Sequence, residues 1–166
     1  GLHKAPEGTG LPPYHRPGNV ADARAVLGGE DGARTLVGGT DLLGAPRHHA
    51  IDPSVLIALK TADDLRQPLV IAEDAIRIGP TLTMAALSEN PQVRQWFPAL
   101  VEAALTVGSV AIRNRASLIG NICNGSPACD TAPALLIHLG TVHIAGPSGV
   151  RAVAMSDFFL GPRRTA

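Results

Sequence analysis

The sequence predicts a mixed helix-and-strand fold in two small lobes, and three observations support this. First, short aliphatic runs (Arg34 to Val37, Val55 to Leu59, Leu69 to Ala72) alternate with short helical faces, and no internal repeat is present. Second, 45% of the 166 residues are hydrophobic but only 3% are aromatic, so Ala and aliphatic side chains must build the core. Third, the composition turns from Pro/His-rich to aliphatic around residues 50–60. That shift places the lobe boundary there, with an N-terminal lobe over 1–55 and a second lobe over 56–166.

Each element has a local reason. Tyr14-His-Arg-Pro17 reads as extended, because a residue before proline avoids the helical region. Asn19 caps a helix with Asp22 in its first turn, Val20, Ala23, Val26 and Leu27 share one face, and Gly28-Gly29 stop it. Arg34 to Val37 is a strand that runs into Gly38-Gly39-Thr40-Asp41, and Leu42-Leu43 follow as an apolar turn of helix or strand. His48 to Ser54 is polar and proline-punctuated, and Val55 to Leu59 is a buried strand. Leu69 to Ala72 and Ala75 to Gly79 flank Glu73-Asp74 as a hairpin. Thr83 starts a helix through Leu87, and Glu89-Asn-Pro91 breaks it before a turn ending at Trp96. Trp96 and Phe97 are expected to anchor the core. Pro98 opens a helix whose buried stripe is Val101, Ala104, Leu105 and Val107, and Gly108 ends it. A long loop follows. Asp130 or Thr131 caps a helix with Pro133 in its first turn and Ala134 to Leu139 as its body, and Gly140 stops it. Thr141 to Ile144 and Val150 to Val153 form a hairpin around Gly146-Pro-Ser-Gly149. Ser156-Asp157 caps a last turn holding Phe158 and Phe159.

Charge and composition exclude several functions. The formal net charge is zero and the pI about 7.2, which argues against the basic face of a nucleic-acid binder and a polybasic membrane patch. No apolar run approaches a membrane span, and the N-terminus lacks the apolar core of a signal peptide, so the expected location is cytoplasmic. Cys123 and Cys129 are too few for a disulfide framework and read as small buried hydrophobes. The six His are scattered, His138 and His143 read as structural or surface residues, and no convergent metal-ligand set stands out. No Ser/His/Asp or Cys/His constellation is evident, so no catalytic acid, base or nucleophile is assigned.

Two loops carry the functional signal. In Leu36-Val-Gly-Gly-Thr-Asp-Leu42 a strand ends in glycines, so unpaired N–H groups can form a concave anion nest; an ordinary turn is the alternative. The stretch from Arg113 to Thr131 is rich in small and hydrogen-bonding residues between apolar helical runs. Such a stretch lets the backbone approach a large polar ligand, or it simply caps the next helix.

Val37-Gly-Gly-Thr-Asp-Leu42 resembles the first FAD-binding loop of the molybdenum hydroxylase flavoproteins, the FAD-binding (medium) subunits or domains of xanthine dehydrogenase and aerobic carbon monoxide dehydrogenase. Arg113-Asn-Arg-Ala-Ser-Leu-Ile-Gly-Asn-Ile-Cys-Asn, with Ser126-Pro and Asp130, is similar to their second loop. The likeness extends from Tyr14-His-Arg-Pro17 to Asp157-Phe-Phe-Leu-Gly161. It implies an α+β, two-lobed FAD-binding fold similar to that of vanillyl-alcohol oxidase and p-cresol methylhydroxylase, with FAD between the lobes. The backbone of Thr35, Leu36, Val37, Gly38, Gly39, Thr40, Asp41 and Leu42 would wrap the pyrophosphate and ribitol. Val107 and Gly108 would contact the flavin. Ser117, Gly120 and Asn121 would approach the cofactor from the second lobe, and Asp130 would accept from a cofactor hydroxyl or fix the loop. The resemblance further implies an electron-transfer role. In that family a molybdopterin-binding large subunit oxidises the substrate and a 2Fe–2S small subunit relays electrons. FAD then passes the electrons to an external acceptor, and the assembly is a dimer of heterotrimers. The cofactor carries the redox chemistry, and the protein orients and tunes it.

The sequence departs from the family pattern in three places. Ile119 replaces a glycine in Ser117-Leu-Ile-Gly-Asn121, which would be costly if that position needs a positive φ or touches FAD. The segment after Leu43 is shorter than usual. The chain stops at Ala166, so the family's C-terminal domain is expected to be absent. An alternative reading is therefore a non-enzymatic scaffold or docking module of the same fold that has lost tight FAD binding. A third reading is a self-contained flavin oxidase of related fold, for which no covalent-flavin His motif stands out.

Overall fold

A computed structural model describes residues 2–3, 12–44, 52–146 and 148–166, and the chain divides into two compact units, Gly1–Thr81 and Leu82–Ala166. The expected boundary between residues 55 and 56 is thereby corrected. The strand that begins at Leu56 pairs with two strands that precede it, so its hydrogen bonds bind it to the first unit.

The first unit is built on a four-stranded sheet of β1 (Leu2–His3), β2 (Tyr14–His15), β3 (Arg34–Leu36) and β4 (Leu56–Ala58), in the spatial order β1-β2-β4-β3. β1 is antiparallel to β2, whereas β2 and β3 both run parallel to β4. β4 is an inner strand with parallel neighbours, the kind of strand that is usually covered on both faces, and Val55, Leu56, Ile57 and Ala58 are all buried. Ala23, Ala33, Val55 and Ile57 form the core, with Val26 and Leu59 packed against it.

Helix α1 (Val20–Gly29) connects β2 to β3. Asn19 caps it as expected, its Oδ1 accepting from the Asp22 N–H at 2.8 Å. A second cap comes from far along the chain. The Asp64 carboxylate accepts from the Val20 N–H at 3.1 and 3.0 Å, which places negative charge at the positive end of the helix. Two details differ from expectation. Leu27 is exposed, because the buried face narrows to Ala23 and Val26. Gly28 and Gly29 lie within the last turn, and Glu30 is the C-terminal cap. Residues 48–51 of the polar His48–Ser54 segment and Ala45-Pro46 lie outside the described residues. Short 3₁₀ turns at Leu59–Thr61 and Asp63–Leu65 lead to the predicted hairpin of β5 (Leu69–Ile71) and β6 (Ile76–Ile78).

The second unit begins with three short helices, α2 (Met84–Glu89), α3 (Pro91–Trp96) and α4 (Pro98–Thr106). Thr83 caps α2 through the Ala86 N–H, and the Asn90 side chain caps α3 by accepting from Gln92 and Val93. Prolines stand at the first turn of α3 and α4, where no N–H is missed. The buried stripe of α4 is Leu100, Val101 and Ala104; Leu105, expected inside, is exposed. Helix α4 packs against α2 and against the later helix α7 (Thr131–Ile137), and a face that meets two neighbours rotates away from a single stripe read off the sequence. Trp96 is also exposed rather than a core anchor. Phe97 is half-buried and meets the His138 ring edge-on, with centroids 4.9 Å apart.

The expected long loop after Gly108 contains two helices, α5 (Val110–Arg113) and α6 (Leu118–Cys123). Helix α7 (Thr131–Ile137) follows, and Leu139, not Gly140, takes the left-handed conformation beyond it, at φ +52°. The predicted hairpin forms from β7 (Thr141–Gly146) and β8 (Gly149–Ala154). The chain ends in α8 (Met155–Phe158) and the small hairpin β9 (Phe159–Gly161) and β10 (Arg164–Thr165). Neither Ser156 nor Asp157 caps α8, whose cap is Ala154 without a side-chain bond, and Phe159 belongs to β9. Ile122, Cys129, Met155 and Phe158 form a core on which Ile119, Leu135 and Val153 pack. No helix among the described residues is long and apolar enough to cross a membrane.

Candidate functional site

In the first unit the sequence-predicted residues are contiguous. Thr35 and Leu36 lie in β3, and Val37, Gly38 and Gly39 carry the chain out of the sheet into a turn over Thr40–Gly44. The turn is closed by the Leu43 N–H donating to the Gly39 carbonyl and the Gly44 N–H to the Asp41 carbonyl, both at 3.0 Å. Gly39 has φ +71°, which an L side chain rarely adopts. A Cβ there would also lie 2.8 Å from Leu43 Cδ1 and 3.0 Å from Leu36 Cδ1. Among the described residues, the N–H groups of Gly38, Gly39 and Thr40 have no hydrogen-bond acceptor. Consecutive donors at the end of a strand, with a left-handed glycine among them, suit an oxyanion such as a diphosphate. Leu42 is half-buried, and Thr40 and Asp41 are exposed.

The second unit holds the other predicted residues in two groups. Val107 caps the C-terminus of α4, and Gly108 follows at φ +50°. A Cβ on Gly108 would approach Ile112 Cγ2 to 2.9 Å and Ile112 Cβ to 3.1 Å. Arg113 Nη1 donates to the carbonyls of both Val107 (3.2 Å) and Gly108 (3.0 Å). Nothing in the sequence motif gives Arg113 a role; only the fold returns its guanidinium over the preceding turn.

The remaining group centres on α6. Ser117 is buried and caps this helix, its Oγ accepting from the Gly120 N–H at 3.0 Å. Thr83 forms an isolated bridge to Ser117, and the Met84 N–H donates to the Ala116 carbonyl at 2.8 Å. The Ser117 hydroxyl and the Gly120 N–H therefore serve each other. Asn121 lies one turn on, and its Oδ1 accepts from Thr131 Oγ1 (2.6 Å) and Cys129 Sγ (3.1 Å). With its oxygen held in this way, the amide presents Nδ2 as a donor. Sequence reasoning missed Thr131 and Cys129 as the groups that aim Asn121. Asp130 is exposed, and although it occupies the capping position of α7 its side chain accepts no backbone N–H.

Ile119 does not need a positive φ. It is an interior residue of α6, partly buried against the Ile122–Phe158 core. The backbone cost expected of a β-branched residue at a positive φ does not arise, because Ile adopts the helical region without strain. Cys129 is buried as expected, but Cys123 is exposed. Protein atoms around the sulfur nonetheless push the Cys123 thiol up through desolvation. Because the residue meets solvent, that shift describes a crowded surface thiol and not a core one. No group of three or more His, Cys, Asp or Glu able to hold a metal ion occurs among the described residues.

Comparison with known proteins agrees with this chemistry. Residues 7–166 match the family described as the FAD binding domain in molybdopterin dehydrogenase. The chain is 35% identical to the putative xanthine dehydrogenase FAD-binding subunit XdhB of Escherichia coli K12, over 92% of this chain and 52% of that protein. It is also 35% identical to the carbon monoxide dehydrogenase medium chain of Afipia carboxidovorans, over 92% of this chain and 53% of the relative. Among solved structures, reconstituted CO dehydrogenase from Oligotropha carboxidovorans superposes with a TM-score of 0.86 at 30% identity, over 92% of this chain and 54% of that one. The chain thus spans about half the length of the relatives it matches. The mixed helix-and-strand fold, the glycine turn whose donors are unpaired among the described residues and the match over nearly all of the sequence lead to one assignment: the chain belongs to the family of FAD-binding domains of molybdopterin dehydrogenases.

Proposed function

We propose that this chain is the FAD-carrying, electron-transferring part of a molybdenum-containing hydroxylase or dehydrogenase. The observation that carries the reading is the Gly38–Thr40 turn, whose N–H groups have no acceptor among the described residues and whose Gly39 is left-handed. The backbone from Thr35 to Leu42 supplies donors for the pyrophosphate and ribitol. Val107 and Gly108, clamped by Arg113, form a contact for the flavin. Asn121 donates through Nδ2, Ser117 and Gly120 shape the turn of helix that carries it, and Asp130 accepts from a cofactor hydroxyl. When bound, FAD supplies the redox chemistry, and the protein supplies binding, orientation and electrostatic tuning.

On this reading the partners are a molybdopterin-binding large subunit and a 2Fe–2S small subunit, assembled as a dimer of heterotrimers in the cytoplasm. The finer fold is the two-lobed α+β arrangement of vanillyl-alcohol oxidase and p-cresol methylhydroxylase. The helical place of Ile119 removes the positive-φ objection that favoured the scaffold alternative.

The test is direct. The purified protein is titrated with FAD while its visible spectrum is recorded. Saturable flavin absorbance that stays with the protein on gel filtration is expected. A colourless protein that gains none rejects the reading. Co-purification with a molybdenum subunit and an iron–sulfur subunit tests the proposed partners.

A further inference from the structure

Arg163 is a non-glycine residue held in the left-handed region, at φ +55°. That conformation costs an L residue energy, and surrounding contacts must hold it there. The contacts are specific. The Arg163 N–H donates to the Gly125 carbonyl at 2.7 Å, and its Nη1 donates to Asn124 Oδ1 at 3.0 Å. Asn124 is the C-terminal cap of α6, and Gly125 follows at φ +59°. Gly125 is buried, and the hairpin sits so close that a Cβ on it would meet Arg163 Cα at 3.0 Å and the Arg164 nitrogen at 3.1 Å. The β9–β10 hairpin therefore grips the exit of α6.

That exit leads directly into the segment that aims Asn121. From Gly125 the chain runs through a turn, closed by the Cys129 N–H on the Ser126 carbonyl and the Ala128 N–H on Ser126 Oγ, to Cys129 and Thr131. Those two side chains then reach back to Asn121 Oδ1. The segment from Asn121 to Thr131 is a closed loop, fastened inside by Asn121 and outside by Arg163.

We propose that Arg163 is a positioning residue for FAD: its guanidinium, through Asn124, sets the α6–α7 loop so that Asn121 and Asp130 meet the cofactor. The inference rests on the FAD reading of the second loop. Arg163 itself need not touch FAD.

Arg163→Gly separates positioning from folding. Glycine keeps the N–H to Gly125 and accepts the left-handed conformation without strain, whereas the side chain and its charge-assisted bond are lost. These effects oppose each other in stability, so the melting temperature is expected to stay within a few degrees of wild type. The wild type, R163G and R163K are stripped of flavin and titrated with FAD, following flavin absorbance and fluorescence. R163G is expected to bind FAD about tenfold more weakly, the order of effect of one hydrogen bond from a charged group. R163K, which keeps a cation and a donor, is expected to recover part of the loss. Equal affinity in R163G and wild type overturns the proposal. So does a parallel fall in melting temperature and affinity that R163K does not recover, since the arginine would then only support the fold. If the wild type itself binds no FAD, the cofactor reading fails and this inference fails with it. A defect confined to the variants bears on Arg163 alone.

Discussion

The Thr131 hydroxyl donates to Oδ1 of Asn121 across 2.6 Å, joining the first residue of α7 to the middle of α6. Thr131 is fully buried, and Cys129 shares the same acceptor. Thr131→Val keeps the shape and removes the donor, leaving Asn121 Oδ1 with the weaker thiol partner. We expect a loss of about 1–2 kcal/mol in urea unfolding, the usual cost of depriving a buried polar group of one bond. FAD affinity should fall in parallel as the amide loses its orientation. A variant as stable as wild type, with unchanged affinity, would show that the pair does not aim the amide.

Gly39 tests the first loop. At φ +71° an alanine is strained, by about 1–2 kcal/mol for a left-handed L residue. The close approach to Leu43 Cδ1 adds less, because that atom ends an exposed side chain that can turn away. Gly39→Ala is therefore expected to weaken FAD binding more than its modest loss of thermal stability would suggest, since the turn must flatten to relieve φ. Isothermal titration with FAD alongside a melting curve checks both parts. Unchanged affinity would remove Gly39 from the site.

Ile119 is predicted to serve packing alone. Ile119→Gly introduces a poor helix former, at about 1 kcal/mol, and removes side-chain packing on the Ile122–Phe158 core, for a total near 2 kcal/mol. No gain in flavin uptake should accompany it. A variant that takes up markedly more FAD than wild type would mean that Ile119 obstructs the cofactor after all.

Cys123 makes a prediction in pH. Desolvation raises its thiol pKa in the folded protein, so the folded state favours the neutral form. Its contribution to stability is fully present below the unfolded pKa and is lost as pH rises through the folded one. Thiolate reactivity should follow. Across an alkaline pH series, iodoacetamide should modify Cys123 more slowly in the native protein than in urea, with the native curve displaced to higher pH. Mass spectrometry resolves it from the buried Cys129. A native curve coincident with the unfolded one would contradict the assigned crowding.

Much of the site was legible in the chain because its chemistry is local. Asn19 and Thr83 announce helix starts, since a capping side chain bonds an N–H within its own first turn. Gly39 and Gly108 mark positive φ for the same reason: the constraint lies in the residue and its neighbours. The runs at Val55 to Ala58 and Leu69 to Ile71 declared strands by their aliphatic continuity.

Other decisions waited for the tertiary structure because they depend on partners far along the chain. Whether Leu105 and Trp96 lie inside depends on which elements pack against their helices, and both are outside. Ile119 carries no positive-φ cost, because it lies within a helix on a core. The Asp64 cap on Val20, across the intervening β3 and β4, and the grip of Arg163 on Asn124 leave no mark in periodicity or spacing. The sequence by itself determined where the backbone could turn tightly and offer its N–H groups. Only the folded chain decided which side chains hold those turns in place, because a long-range hydrogen bond depends on the packing that brings distant segments together.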